Sequence, residues 1–183
     1  MSAKHSIEDM KARVDQIDER RNKRIKHTSI YTGDYVDIPI GELEYRKFRR
    51  SSILLIAFLS VLHVGAGFIN NQGMYESYTA IAYVATLLTI LYFIVVFIQL
   101  PKKKDGFRLG EVGVLFNRVQ ISSIYIGIAL VATLVAEIYY LVYATTDGQP
   151  ISDYIFLALL LIESLLAFIL IIVQYRMFKK IKI

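Results

Sequence analysis

The chain contains no cysteine and no tryptophan. Without cysteine there is no disulfide, no thiolate nucleophile and no cysteine-ligated metal. Asn-x-Ser/Thr sequons are also missing. The three histidines, His5, His27 and His63, are scattered along the chain, whereas a zinc site wants three or four converging ligands. Neither a metal nor a cofactor is therefore expected. No Ser–His–Asp set, CxxC pair or nucleotide loop stands out. The glycine-containing segment PKKKDGFRLGEVGVLFNRVQ, residues 101–120, lacks the Gly-Lys-Ser/Thr ending of a phosphate loop. The serines and threonines of the apolar runs have only His63 as a conceivable activating base, so an enzyme is not expected.

Charge is missing from four long stretches. Residues 51–75 carry no ionisable group except His63 and Tyr75, and residues 77–100 contain no Asp, Glu, Lys or Arg. Residues 119–146 carry only Glu137, and residues 154–175 only Glu163. About 20 apolar residues cross a bilayer core as a helix. A soluble bundle would show charged outer faces at helical spacing, and these runs show none. The expected fold class is all-α integral membrane, with four transmembrane helices in a bundle spanning about 51–71, 78–100, 120–144 and 154–175.

The basic residues are confined elsewhere. Of the 21 Lys and Arg, 12 lie in residues 1–50, five in 101–119 and four in 176–183. The connections near 71–78 and 145–153 have none. The positive-inside rule then places both termini and the middle loop in the cytoplasm. The formal net charge of +5 needs no nucleic acid to explain it; holding the topology and touching anionic lipid headgroups suffices. Residues 1–50 are mostly polar, unlike a signal peptide, so the first span reads as an uncleaved signal-anchor. A Lys- and Ile-rich composition suits a bacterial inner membrane.

The segment 1–50 is expected to be a cytoplasmic arm, with the transmembrane domain covering 51–183. Ser6 with Asp9 approximates a capping box before a helix over about 6–26. Ile7, Met10, Val14 and Ile17 follow 3-4-3 spacing, the seam of a short amphipathic helix that binds a partner or a second copy. A membrane-surface helix and a frayed tail are the competing readings; the acids Glu8, Asp9, Asp15, Asp18 and Glu19 disfavour anionic lipid. Residues 28–45, with Gly33, Pro39, Gly41 and four acids, read as a linker.

Tyr75, Tyr78, Tyr139, Tyr140, Tyr143 and Tyr154 mark the opposite membrane edge as an aromatic belt. In the middle loop, Val112, Leu115, Phe116 and Val119 suggest either a short helix on the cytoplasmic surface or an ordinary connection. The chain also echoes itself: SSILLIAFLSVLHVG at Ser51 is matched by SSIYIGIALVATLVA at Ser122, and FIVVFIQL at Phe93 by FILIIVQY at Phe168. Two tandem hairpins would produce such a parallel repeat. Apolar helices also resemble one another by chance.

Each span carries polar or small residues at 3- and 4-residue steps, which share a helix face. The first has Ser60, His63, Gly67 and Asn70; the second Thr79, Ala82, Thr86 and Thr89; the third Ala129, Thr133, Glu137 and Tyr140; the fourth Glu163, Ala167 and Gln174. Turned inward, such residues join membrane helices. Counting along the helices puts Glu137 and Glu163 within roughly 4–5 Å of the same depth, with His63 near Glu137. The candidate polar site is therefore His63, Glu137, Glu163, Thr86 and Thr133. A charge at mid-membrane costs at least ~2.5–3.5 kcal/mol, so unpaired carboxylates are disfavoured. Two functions follow from this. The first is a non-enzymatic accessory, assembly or interaction subunit of a membrane complex, whose acids glue helices together. The alternative is a small oligomeric proton- or cation-coupled transporter or channel, with Glu137 and Glu163 as carriers and His63 as relay.

Overall fold

The computed structural model describes residues 35–36, 38, 40–103, 107–108, 111–143 and 150–181. Four helices dominate: α1 (Glu42–Ala66), α2 (Ser77–Ile98), α3 (Glu111–Tyr143) and α4 (Ile151–Ile181). All four are long and apolar enough to cross a membrane. Two short strands, β1 (Tyr35–Val36) and β2 (Phe107–Arg108), pair antiparallel beside the end of the bundle that carries the lysines and arginines, here called the basic end. The arm helix expected over 6–26, with Ile7, Met10, Val14 and Ile17, lies outside the described residues.

The buried positions explain why these segments pack. Along α4 they are Asp153, Phe156, Leu160, Glu163, Ala167, Leu170, Gln174 and Met177, an unbroken alternation of three- and four-residue steps. On α3, Phe116, Val119, Ser123, Ile126, Leu130, Thr133, Glu137 and Tyr140 keep the same rhythm. A seam repeating every 3.5 residues is the pattern of helices packed nearly parallel or antiparallel in bundles. Helix α4 lies between α1 and α3, and α3 packs on α2. The outside is inverted relative to a water-soluble protein. Phe58, Val61, Ile81, Ile98 and Ile151 stand exposed, while His63, Thr86, Thr133, Glu137, Asp153 and Glu163 are fully buried. So large an exposed apolar surface suits lipid, not water.

Three helices outrun the apolar segments at the basic end. Helix α1 begins at Glu42, α3 at Glu111, and α4 continues to Ile181. The inward seam persists there through Tyr45, Phe48, Phe116 and Met177, while only the outer faces turn charged. Charge marked where the outer faces cease to be apolar, not where the helices end. Two expectations are corrected accordingly. The apolar stretch 112–119 is the first part of α3, not a separate surface helix. The stretch 28–45 is not all linker: it holds β1, the buried Ile38 and Ile40, and the start of α1.

An aromatic cluster closes this end. Phe107 packs on Tyr45 and Phe116, and Phe48 meets Phe97 and Phe116. The Tyr45 hydroxyl donates to the Pro101 carbonyl at 2.5 Å, and Arg49 donates to the carbonyls of Leu100 and Pro101 at 3.0 and 2.6 Å. These carbonyls follow the last turn of α2, where a cation both satisfies acceptors and complements the helix dipole. At the opposite end α1 stops at Ala66, short of the expected 71. Among the residues that follow, Gly67, Asn70, Asn71 and Gly73 are poor helix formers and good turn formers. A 3₁₀ turn, Gln72–Tyr75, leads into α2.

Candidate functional site

The deeper of two polar clusters joins α1, α2 and α4. His63 Nδ1 lies 2.8 Å from Glu163 Oε2, and both side chains are fully buried. His63 Nε2 lies 3.2 Å from the backbone carbonyl of Tyr83. A carbonyl only accepts, so Nε2 carries a hydrogen. Nδ1 and Oε2 then share a single proton between them. With that proton on nitrogen the pair is an imidazolium and a carboxylate; on oxygen, a neutral ring and a carboxylic acid. Either way the pair has no net charge, which is what a low-dielectric site tolerates.

Tyr83 completes a reciprocal clasp. Its hydroxyl donates to the backbone carbonyl of His63, and its ring stacks on the imidazole with centroids 4.1 Å apart. Gly67 makes room for this: a Cβ there would fall 2.9 Å from the Tyr83 hydroxyl oxygen. Phe156 of α4 packs against the Tyr83 ring, 5.8 Å between centroids.

The second cluster ties the 3₁₀ turn to α3 and α4. The Oδ1 of Asn71 accepts from the Gly73 N–H at 2.5 Å, which fixes the amide so that Nδ2 donates to Glu137 Oε1 at 2.9 Å. The Gln72 N–H donates to Asp153 Oδ1 at 3.0 Å, and the Tyr140 hydroxyl donates to Gln72 Oε1 at 3.3 Å. Gly73 lies so close that a Cβ would sit 2.5 Å from Glu137 Oε2 and 2.9 Å from the Tyr140 ring. Along α4, Glu163 lies ~15 Å deeper in the bundle than Asp153.

Two further polar bridges continue inward. Thr86 and Thr133 hydroxyls meet at 3.0 Å between α2 and α3, while each also reaches a backbone carbonyl one turn back, Ala82 and Ala129. Nearer the basic end, Gln174 Nε2 donates to Ser52 Oγ at 2.9 Å between α4 and α1. Between α3 and α4 the contact is close and apolar, with Ile171 Cδ1 against Gly127, 2.9 Å from where a Cβ would be. The α1–α4, α1–α2 and α2–α3 contacts each include a buried polar bridge.

All five candidate residues of the polar site are thus buried, in three places. His63 bonds Glu163, Thr86 bonds Thr133, and Glu137 bonds Asn71. One site containing His63 and both glutamates does not form, because Glu137 faces the turn while Glu163 faces α1. On the first stripe, Asn70 is exposed and Asn71 takes the inward place. The helical count fails there since the helix has already ended. Tyr140 is buried, unlike the exposed Tyr75, Tyr139, Tyr143 and Tyr154 of the aromatic belt.

Asp153, Asn71 and Tyr83 were not anticipated. For Asp153 the signal was present: it continues the three- and four-residue steps of α4 outward from Glu163. Three buried carboxyl oxygens, Glu137 Oε2, Asp153 Oδ2 and Glu163 Oε1, have no hydrogen-bond partner among the described residues. Among the described residues no three His, Asp or Glu side chains converge as metal ligands would. No protein-family model matches the chain, and no curated protein or solved structure shows significant similarity to it.

Proposed function

We propose that this protein is a non-enzymatic polytopic membrane protein that serves as an accessory, assembly or interaction subunit of a membrane complex. It sits in a bacterial inner membrane with both termini and the basic end in the cytoplasm, where Lys and Arg meet anionic headgroups. The observation that carries this reading is the use made of the embedded polar groups. Glu163, Glu137, Asp153, Thr86, Thr133 and Gln174 each bond another element of the same chain. They build the bundle, and recognition is left to the arm with its Ile7, Met10, Val14 and Ile17 stripe.

The test separates arm from bundle. A chain lacking residues 1–34 keeps β1, Ile38, Ile40 and Tyr45, which belong to the folded part. Crosslinking and native gel mobility in membranes should show that this truncation folds but no longer joins its complex. A truncation that assembles as the full chain does would overturn the reading.

A second reading, a small proton- or cation-coupled transporter or channel working as an oligomer, draws support from the three unpartnered carboxyl oxygens. Buried polar groups are seldom left unpaired, and intramembrane acids often mark ion pathways. On that reading Asp153 and Glu137 sit nearest the outer surface and the His63–Glu163 pair holds a proton further in. Proton flux lost on substituting the glutamates by glutamine, with the arm deleted and flux retained, would favour it.

A further inference from the structure

We propose that a groove between α1 and α4 at the basic end is a binding site for a phospholipid with an anionic phosphodiester headgroup. This rests on the membrane placement proposed above, and not on whether the protein assembles or transports. The groove measures about 760 Å³, within the roughly 300–1,000 Å³ typical of small-molecule sites. Its floor is apolar, with Phe48 and Met177 buried and Ile172 and Val173 beside them. Its rim is basic: Lys47 from α1, and Arg176, Lys179 and Lys180 from α4.

Charge complementarity selects the occupant. Lys180 is paired with Glu44. Lys47, Arg176 and Lys179 have no acidic partner among the described residues, leaving a cationic excess around an apolar floor. A phosphate joined to acyl chains matches both halves: the phosphodiester meets Lys47, Arg176 and Lys179, and a chain lies along Ile172 and Val173. Basic pockets between membrane helices hold acidic headgroups in this way. A second basic hollow at this end is smaller, about 280 Å³, and lined by Arg46, Arg49 and Arg50. There Glu42 offsets the charge of Arg46, and Arg49 spends donors on the carbonyls after α2, so fewer free cationic donors face the hollow.

The test is native mass spectrometry of the full chain in a neutral detergent, titrated with phosphatidylglycerol, phosphatidylcholine or inorganic phosphate. Phosphatidylglycerol should bind as a discrete adduct, with phosphatidylcholine and inorganic phosphate far weaker. The variant Lys47→Gln/Arg176→Gln/Lys179→Gln should lose roughly tenfold or more in affinity. The variant Lys102→Gln/Lys103→Gln/Arg118→Gln removes as many charges from the same end and should keep wild-type binding. Thermal unfolding of each variant reports folding; if the triple groove variant unfolds, Arg176→Gln alone is read, with a several-fold loss expected. Equal losses in both triple variants would mean diffuse attraction and overturn the site. Equal binding of phosphatidylcholine, or occupancy by inorganic phosphate alone, would overturn it as well.

Discussion

The two polar clusters hold their carboxyls in contrasting ways. Glu163 is met by a side chain from another helix, inside the seam where α1, α2 and α4 converge. Glu137 and Asp153 are met by an amide side chain and a backbone N–H from a short turn near the end of the bundle. The first arrangement joins helices; the second fastens a loop over them. Their partners also differ in what happens when the acid is lost. His63 would remain as a buried ring with nothing beside Nδ1, whereas Asn71 keeps its bond from the Gly73 N–H and Gln72 already lies at the surface.

That difference sets the size of the expected effects. Glu163→Ala should be the most damaging single change, because breaking a buried pair from one side costs about 3–5 kcal/mol. The double change His63→Leu/Glu163→Leu should cost less than Glu163→Ala alone, since no polar group is then stranded. Equilibrium unfolding in mixed micelles measures both. A double variant less stable than the single one would break the comparison.

At the turn, Gly73→Ala should cost about 1–3 kcal/mol through overpacking against Glu137 and Tyr140. In a Glu137→Ala background the same change should cost less, because the nearest contact, with the carboxyl, is gone and only those with Tyr140 and Asn71 remain. Hydrogen exchange over residues 71–76 should rise in Gly73→Ala while α1 and α4 stay protected. Exchange rising throughout the bundle would show that the turn is not a separate fastening.

Tyr83→Phe removes the hydroxyl from the His63 carbonyl but keeps the stacked ring. The expected loss is about 1 kcal/mol, with the α1–α2 contact loosened and the His63–Glu163 bond retained. The smallest effect belongs to Thr86→Val/Thr133→Val. Both hydroxyls also bond their own helices, and polar bridges between membrane helices average about 0.6 kcal/mol. A loss larger than that of Glu163→Ala would mean that the threonine bridge, rather than the His63–Glu163 pair, anchors the core.

Much of this architecture was legible in the residues. The absence of charge marked four spans, and the inward positions of Thr86, Thr133, Glu137, Glu163 and Gln174 followed from helical spacing alone. What spacing cannot give is which helix lies beside which. That order decides that His63 meets Glu163 and not Glu137, and it emerges only when α4 packs between α1 and α3. Asp153 was readable from the α4 rhythm but masked by its place at the edge of the apolar run. Asn71 was not readable, because its inward direction comes from an irregular turn with no period. The long basic-end extensions of α1, α3 and α4 were obscured because charge on the outer face hid a seam that continued within.

The most direct measurement is proton and monovalent-cation flux into proteoliposomes, for the wild type and for Glu137→Gln/Glu163→Gln, with folding checked on the same samples. If the buried acids serve to join the bundle, neither protein will carry flux above that of empty vesicles. Flux through the wild type that vanishes in a fully folded glutamine variant would contradict the account and make the acids a conduction pathway.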